Sequence, residues 1–172
     1  MLNNTELESV KTIVNVIPFS IEKNDAQNIV SNYSKQYSVQ VQKLIYYPYY
    51  WILFEFTVKT LFGKSRKTKA SCLVDLINNH AATTDKFELY EAEVLKNSVL
   101  EHDYSPEEAV KTARTYLTHS SIHNTKVLFA PDSKIKKESL VYKPFWIVKC
   151  TNRDRHSFKV IVDAVTGKFQ LL

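Results

Sequence analysis

The sequence predicts an α+β protein of two tandem helix-plus-antiparallel-sheet (αβββ) units packed together, and three observations predict it. The first is an internal repeat. Tyr46-Tyr47-Pro48-Tyr49-Tyr50-Trp51-Ile52 is echoed by Tyr142-Lys143-Pro144-Phe145-Trp146-Ile147-Val148, so that two prolines superpose. The second is an Asp in an apolar run followed by a turn. Cys72-Leu73-Val74-Asp75-Leu76-Ile77-Asn78-Asn79 answers Val160-Ile161-Val162-Asp163-Ala164-Val165-Thr166-Gly167. Asn79 stands where Gly167 stands, and after Gly, Asn is among the residues that best tolerate a left-handed turn. The third is a pair of helix starts. Asn24-Asp25-Ala26 leads to Ile29, Val30 and Tyr33, while Ser105-Pro106-Glu107-Glu108 leads to Ala109, Val110, Ala113, Tyr116 and Leu117. Both have a capping residue, and the second has Pro at its first helical position.

In chain order, the first unit (residues 1–95) opens on Val10 to Ile21, which has β-branched character at Ile13, Val14 and Val16. A helix is expected from Asp25 to Tyr37, then strands from Val39 to Ile45, Tyr49 to Leu61 and Ala70 to Ile77. In the second of these, Tyr50, Ile52, Phe54, Phe56 and Val58 form a wholly apolar period-2 face that should take the helix; Trp51 and Leu53 on the other face suggest cover by the sister unit or a partner. The second unit (96–172) follows Phe87 to Leu100, where Leu89, Ala92 and Val99 are nearer helical spacing. It should hold a helix from Pro106 to Thr118, then strands at Lys126 to Phe129 with part of Lys137 to Tyr142, at Phe145 to Thr151 and at Ser157 to Val165. Pro48 and Pro144 each remove a ladder donor, which fits a strand's first residue or an edge. From Pro to Asp is 27 residues in the first unit and 19 in the second, so the first hairpin is the longer. A single unit of this size would have a marginal core, which is why the two should pack together.

Composition narrows the functional classes. The chain has 172 residues, 44% hydrophobic and 24% charged, with only 2 Gly. That is a globular composition with no glycine-rich loop to cradle a phosphate or dinucleotide, and no cofactor is expected. Two cysteines, Cys72 and Cys150, are too few for a disulfide scaffold and read as small buried hydrophobes. Met1 to Glu8 has no basic and apolar leader pattern, and the longest apolar run, Leu44 to Phe56, is broken by Pro48 and Glu55. A cytoplasmic protein without a transmembrane segment is the expectation. The net charge of +5 is unevenly spread. Lys86 to Glu108 carries seven acids against two lysines, whereas Val110 to Leu172 carries twelve Lys/Arg against four acids.

The second half also resembles a known family. A helix beginning Pro106-Glu107-Glu108-Ala109, then Tyr142, Pro144 and Trp146, then Val162-Asp163-Ala164-Val165-Thr166-Gly167-Lys168, is similar to a PepSY module over roughly residues 104–172. The first half departs from the pattern, with Leu76 for Ala, Asn78 for Thr and Asn79 for Gly, and joins it through the internal repeat. The resemblance implies a curled antiparallel sheet on one helix, of the cystatin-like kind, in a family associated with binding, inhibition or regulation. It brings no catalytic residues.

Candidate chemistry is weighed residue by residue. His119 and His123, at i and i+4, could hold zinc with a third ligand from Cys150, His102 or His156; a solvated helix end is the plainer reading. Asp75 and Asp163 could share a proton for acid/base work, but each more simply ends a strand and accepts turn N–H bonds. An enzyme is the weakest expectation. Protein or peptide binding leads, through the aromatic strand (Tyr47, Tyr49, Trp51, with Trp146) and a sheet edge. The alternative is nucleic acid or an anionic surface, held by basic hairpins at 63–69 (Lys64, Arg66, Lys67, Lys69) and 152–156 (Arg153, Arg155).

Overall fold

A computed structural model describes residues 10–33, 35–59, 65–124 and 133–172, those at 58–59 and 120–124 by backbone alone. The strands are β1 (Lys11–Val16), β2 (Ser38–Lys59), β3 (Ser65–Asp75), β4 (Ala81–Thr83), β5 (Tyr90–Leu95), β6 (Lys134–Thr151), β7 (Ser157–Asp163) and β8 (Phe169–Leu171). The helices are α1 (Lys23–Tyr33) and α2 (Pro106–Asn124), with a 3₁₀ turn at Lys96–Ser98. The fold is α+β with a large mixed sheet, ordered β4-β3-β2-β6-β1-β5, with β7 on β6 and β8 on β7. No described helix is long and apolar enough to cross a membrane.

Several expected boundaries move. Strands 39–45 and 49–61 are one 22-residue strand, β2, and β6 likewise runs through Pro144. The prolines are neither first residues nor edges; both are fully buried. Each sits one residue before the first rung of a hairpin ladder, at Tyr49↔Asp75 and Phe145↔Asp163. There the absent N–H is not needed, and the proline carbonyls still accept, from Leu76 N–H at 3.2 Å and Ala164 N–H at 3.1 Å. Helix α1 stops at Tyr33, four residues short of Tyr37, whose ring instead packs edge-on against Phe158 at 5.1 Å. Helix α2 runs six residues beyond Thr118, and residues 126–129 lie outside the described set. Within Phe87 to Leu100, residues 90–95 form a strand rather than a helix: exposed Glu91, Glu93 and Leu95 alternate with Ala92 and buried Val94, and β5 pairs antiparallel with all of β1.

The chain forms two compact units that do not follow a 95/96 boundary. Unit 1 comprises Met1–Tyr47, Phe87–Leu100 and Tyr142–Leu172; unit 2 comprises Pro48–Lys86 and Glu101–Val141. In unit 2 the apolar face of β2 (Tyr50, Ile52, Phe54) and β3 (Cys72, Val74), with Leu76, is covered by Ala109, Ala113 and Leu117 of α2. The first hairpin thus takes the helix of the second half, not its own. In unit 1 the core of Val148, Cys150, Val160 and Val162 is covered by Ala26 and Val30 of α1, so the second hairpin takes the helix of the first half.

The segment leading into each helix follows the same exchange. Leu76 O accepts the N–H groups of Asp103 and Tyr104, at 3.0 and 3.2 Å. Ala164 O accepts those of Ser20 and Ile21, at 3.3 and 3.0 Å. Both helices open on a side chain that turns back to the chain: Glu108 Oε2 accepts from Ser105 N–H at 2.8 Å, and Asp25 Oδ2 from Glu22 N–H at 3.0 Å.

Candidate functional site

The two Asp turns are built alike. Asp75 Oδ1 accepts the N–H groups of Ile77 and Asn78 at 2.8 and 3.0 Å, and its Oδ2 the Asn78 amide at 3.1 Å. Asp163 Oδ1 accepts those of Val165 and Thr166 at 2.8 and 3.2 Å, and its Oδ2 the Thr166 hydroxyl at 2.7 Å. Both turns close through a left-handed residue, Asn79 at φ 54° and Gly167 at φ 71°. Asp163 also meets Lys143 Nζ at 2.6 Å, both side chains largely buried. Burial alone would raise its carboxyl, but the Lys143 ammonium, the Thr166 hydroxyl and the Val165 N–H outweigh that and hold it below its ordinary value. Asp75 lies in unit 2 and Asp163 in unit 1, and each carboxylate is used by its own turn.

The aromatic candidates are placed unevenly. Trp51 is buried at 6% exposure, and its indole N–H donates to Ser71 Oγ at 2.7 Å. Trp146 is half-buried against the unit 1 core and donates to Ile21 O at 2.8 Å. Tyr47 is half-buried, its ring edge-on to Phe145 at 6.0 Å, and Tyr49 is half-buried opposite Asp75. The large apolar side chains that do reach solvent include Ile13, Tyr33, Tyr90, Leu95 and Leu171. Strand alternation alone could not separate these from the core aromatics, because both faces of β2 around Trp51 are buried.

Among the basic candidates, Lys64 lies outside the described residues, and Arg66, Lys67 and Lys69 are exposed on β3 in unit 2. Arg153 and Arg155 are exposed in the 152–156 turn of unit 1, Arg155 at φ 64°. Lys136 of β6, which the sequence reading passed over, joins the first group: its Nζ lies 3.2 Å from Glu55 Oε1, with Lys67 Nζ at 4.0 Å. The Lys136 hydrogen bond is the main reason the Glu55 carboxyl sits below its ordinary value.

His119 is exposed on α2, the His123 side chain lies outside the described set, and His102 Nδ1 is 3.1 Å from Tyr104 O. Among the described residues no three His, Cys, Asp or Glu side chains gather as for a metal. Cys72 and Cys150 are buried; burial pushes the Cys72 thiol up to about 11 and raises that of Cys150. Neither is a poised thiolate.

Two clefts remain. One of about 550 Å³ in unit 2 is lined by Asn79, His80, Glu108, Lys111, Thr112 and Tyr116, among others, with the Thr112 hydroxyl on Asn79 Oδ1 at 2.8 Å. The other, of about 400 Å³ in unit 1, lies between β2 and β5, with Lys43, Leu44 and Tyr46 on one side and Glu93, Val94 and Leu95 on the other.

No curated protein and no solved structure matches the chain. Residues 103–171 do match a family, described as the peptidase propeptide and YPEB domain. The matched stretch takes in α2 and the strands from β6 to β8, the Pro144 junction and the Asp163 turn, and its residues 103–141 fall in unit 2 while 142–171 fall in unit 1. Residues 103–171, with their helix, strands and turn, are therefore similar to a PepSY domain.

Proposed function

We propose that the protein is a non-catalytic binding or regulatory module that engages a protein or peptide partner, assembled from two diverged αβββ copies over residues 1–95 and 96–172. The observation that carries this reading is the match of 103–171 to a family named for peptidase propeptides, a name that supports a binding or regulatory role. The duplication draws support from the paired Pro junctions, Asp turns and helix entries. With Trp51 in the core, the binding surface shifts from the aromatic strand to the sheet edge. Selection of a displayed dodecapeptide library on the immobilised full chain tests the reading. Recovered peptides should bind at about 10 μM or tighter in physiological salt. A selection that returns no binder refutes it.

A second reading, binding of a phosphate-bearing polymer, draws on the clustering of Arg66, Lys67, Lys69 and Lys136 in unit 2. Fluorescence anisotropy with labelled oligonucleotides tests it: micromolar affinity with a steep salt slope supports it, and no binding at low salt ends it.

A further inference from the structure

We propose that the seam between β2 and β5 in unit 1 is a slot that takes one extended segment of a partner protein as an added strand. The inference rests on the protein-binding reading above and names its site.

The backbone groups that face the seam follow from two hydrogen bonds. Lys96 N–H donates to Val10 O at 2.8 Å, so position 96 faces β1. Along an antiparallel strand the facing alternates, and the register sets Val94 opposite Thr12 and Ala92 opposite Val14. Backbone groups of Val94 and Ala92 therefore turn to β1, and those of Glu93 and Glu91 turn outward. Leu95 O also faces outward, where the Ser98 hydroxyl reaches it at 2.6 Å. On the other wall, Tyr46 O accepts from Leu100 N–H at 3.0 Å. The same alternation gives Leu44 and Gln42 outward-facing backbone groups on this edge. Two strand edges thus turn N–H and C=O groups toward one cleft of about 400 Å³.

The chain itself shows what the seam accepts. Val99 forms a parallel bridge to Tyr46 just beyond the 3₁₀ turn, so an extended segment already fills the end of the slot for one rung. A partner strand would continue that rung past Leu44. Apolar side chains at every second position would meet Leu44, Tyr46 and Val94, and cations at the intervening positions would meet the exposed carboxylate of Glu91 and compete with Lys11, whose Nζ lies 2.7 Å from Glu93 Oε2, for that of Glu93.

The probe is an acetylated, amidated decapeptide of alternating Val and Lys, added to the full chain and followed by amide hydrogen exchange. At saturation, exchange should slow about tenfold or more at Gln42, Leu44, Glu91 and Glu93. The variant Glu93→Pro removes an outward N–H and leaves the β1 ladder whole; it should keep the wild-type circular dichroism and bind at least about tenfold more weakly. Protection elsewhere, equal binding by folded Glu93→Pro, or no binding up to about 1 mM would each overturn the slot. If library peptides still bind, protein binding survives without the seam; if none binds either, the broader reading falls with it.

Discussion

The cover of each hairpin by the other half's helix can be tested by a double-mutant cycle. Leu117 of α2 is 4% exposed and Val74 of β3 is fully buried, in one cluster of unit 2. Leu117→Ala should cost about 3 kcal/mol, within the range of about 2–5 for buried leucines. Val74→Ala removes about two methylene equivalents at about 0.8 kcal/mol each and leaves a small cavity, for a total of about 2 kcal/mol. Their sum, about 5 kcal/mol, falls at the low end of the stability of a domain, so both singles remain measurable by urea unfolding. Because the two side chains share one core, the double variant should depart from additivity by about 0.5 kcal/mol or more. A strictly additive pair would refute the packing. So would coupling of Leu117 to Val162, the partner it would have if each helix covered the hairpin that follows it in the chain.

Gly167→Ala should destabilise by about 1 kcal/mol, a fall of about 2–4 °C in Tm, since φ is +71° and the new methyl would lie 3.3 Å from Ile29 Cδ1; an unchanged or raised Tm by calorimetry, the outcome where alanine fits the native backbone without strain, would count against the turn. The lowered Asp163 carboxyl contributes stability that is present above the unfolded carboxylate value, about pH 3.9, and lost as pH falls through the folded value. Asp163→Asn should therefore cost about 1.5–3 kcal/mol at pH 7 and flatten the acid limb of the urea midpoint against pH; an unaltered limb contradicts the Lys143 pair. Trp51→Ala should lose about 3–5 kcal/mol of stability, read by denaturant midpoint, because the indole is core; a fully stable variant would place it at the surface. Arg114 donates to Ser133 O and Oγ at 3.2 and 2.5 Å and stacks over Phe54 at 5.2 Å, so Arg114→Ala should cost about 1–3 kcal/mol, whereas a neutral result would make those contacts idle.

What the sequence disclosed and what it hid have physical causes. Pro48 and Pro144 were legible as a matched pair, but their place inside long strands was not, because partner strands decide it. The Asp75 and Asp163 turns were legible because each is local: a carboxylate two and three residues from the N–H groups it serves. The Asn79 for Gly167 exchange was legible for the same reason. Which helix would cover which hairpin was not. The apolar stripe of Tyr50, Ile52 and Phe54 calls for a helix, but Val30 and Ala113 satisfy an apolar face equally well, and pairing is decided by tertiary closure. Sequence spacing misassigned 90–95 because Leu89, Ala92 and Val99 mimic a helical period, while the deciding partner, β1, lies some 80 residues earlier. The seam left no trace for a related reason. It is made of backbone groups at Leu44 and Glu93, which every residue type but Pro would supply.

The helix exchange also sets the timing of this protein's birth. Translation at about 5–20 residues per second delivers Leu76, and with it the whole first hairpin, about 2–8 s before Leu117 of the helix that will cover it. Val30 is made earlier still, yet Val160 and Val162 of β7, on which it rests, come some 130 residues later, so α1 waits on β7. A nascent chain of this protein therefore carries an uncovered apolar ribbon from the completion of its first hairpin until α2 is made. A chain stopped ahead of β7 would leave α1 without the strand it lies on, the kind of product that chaperones and proteases recognise.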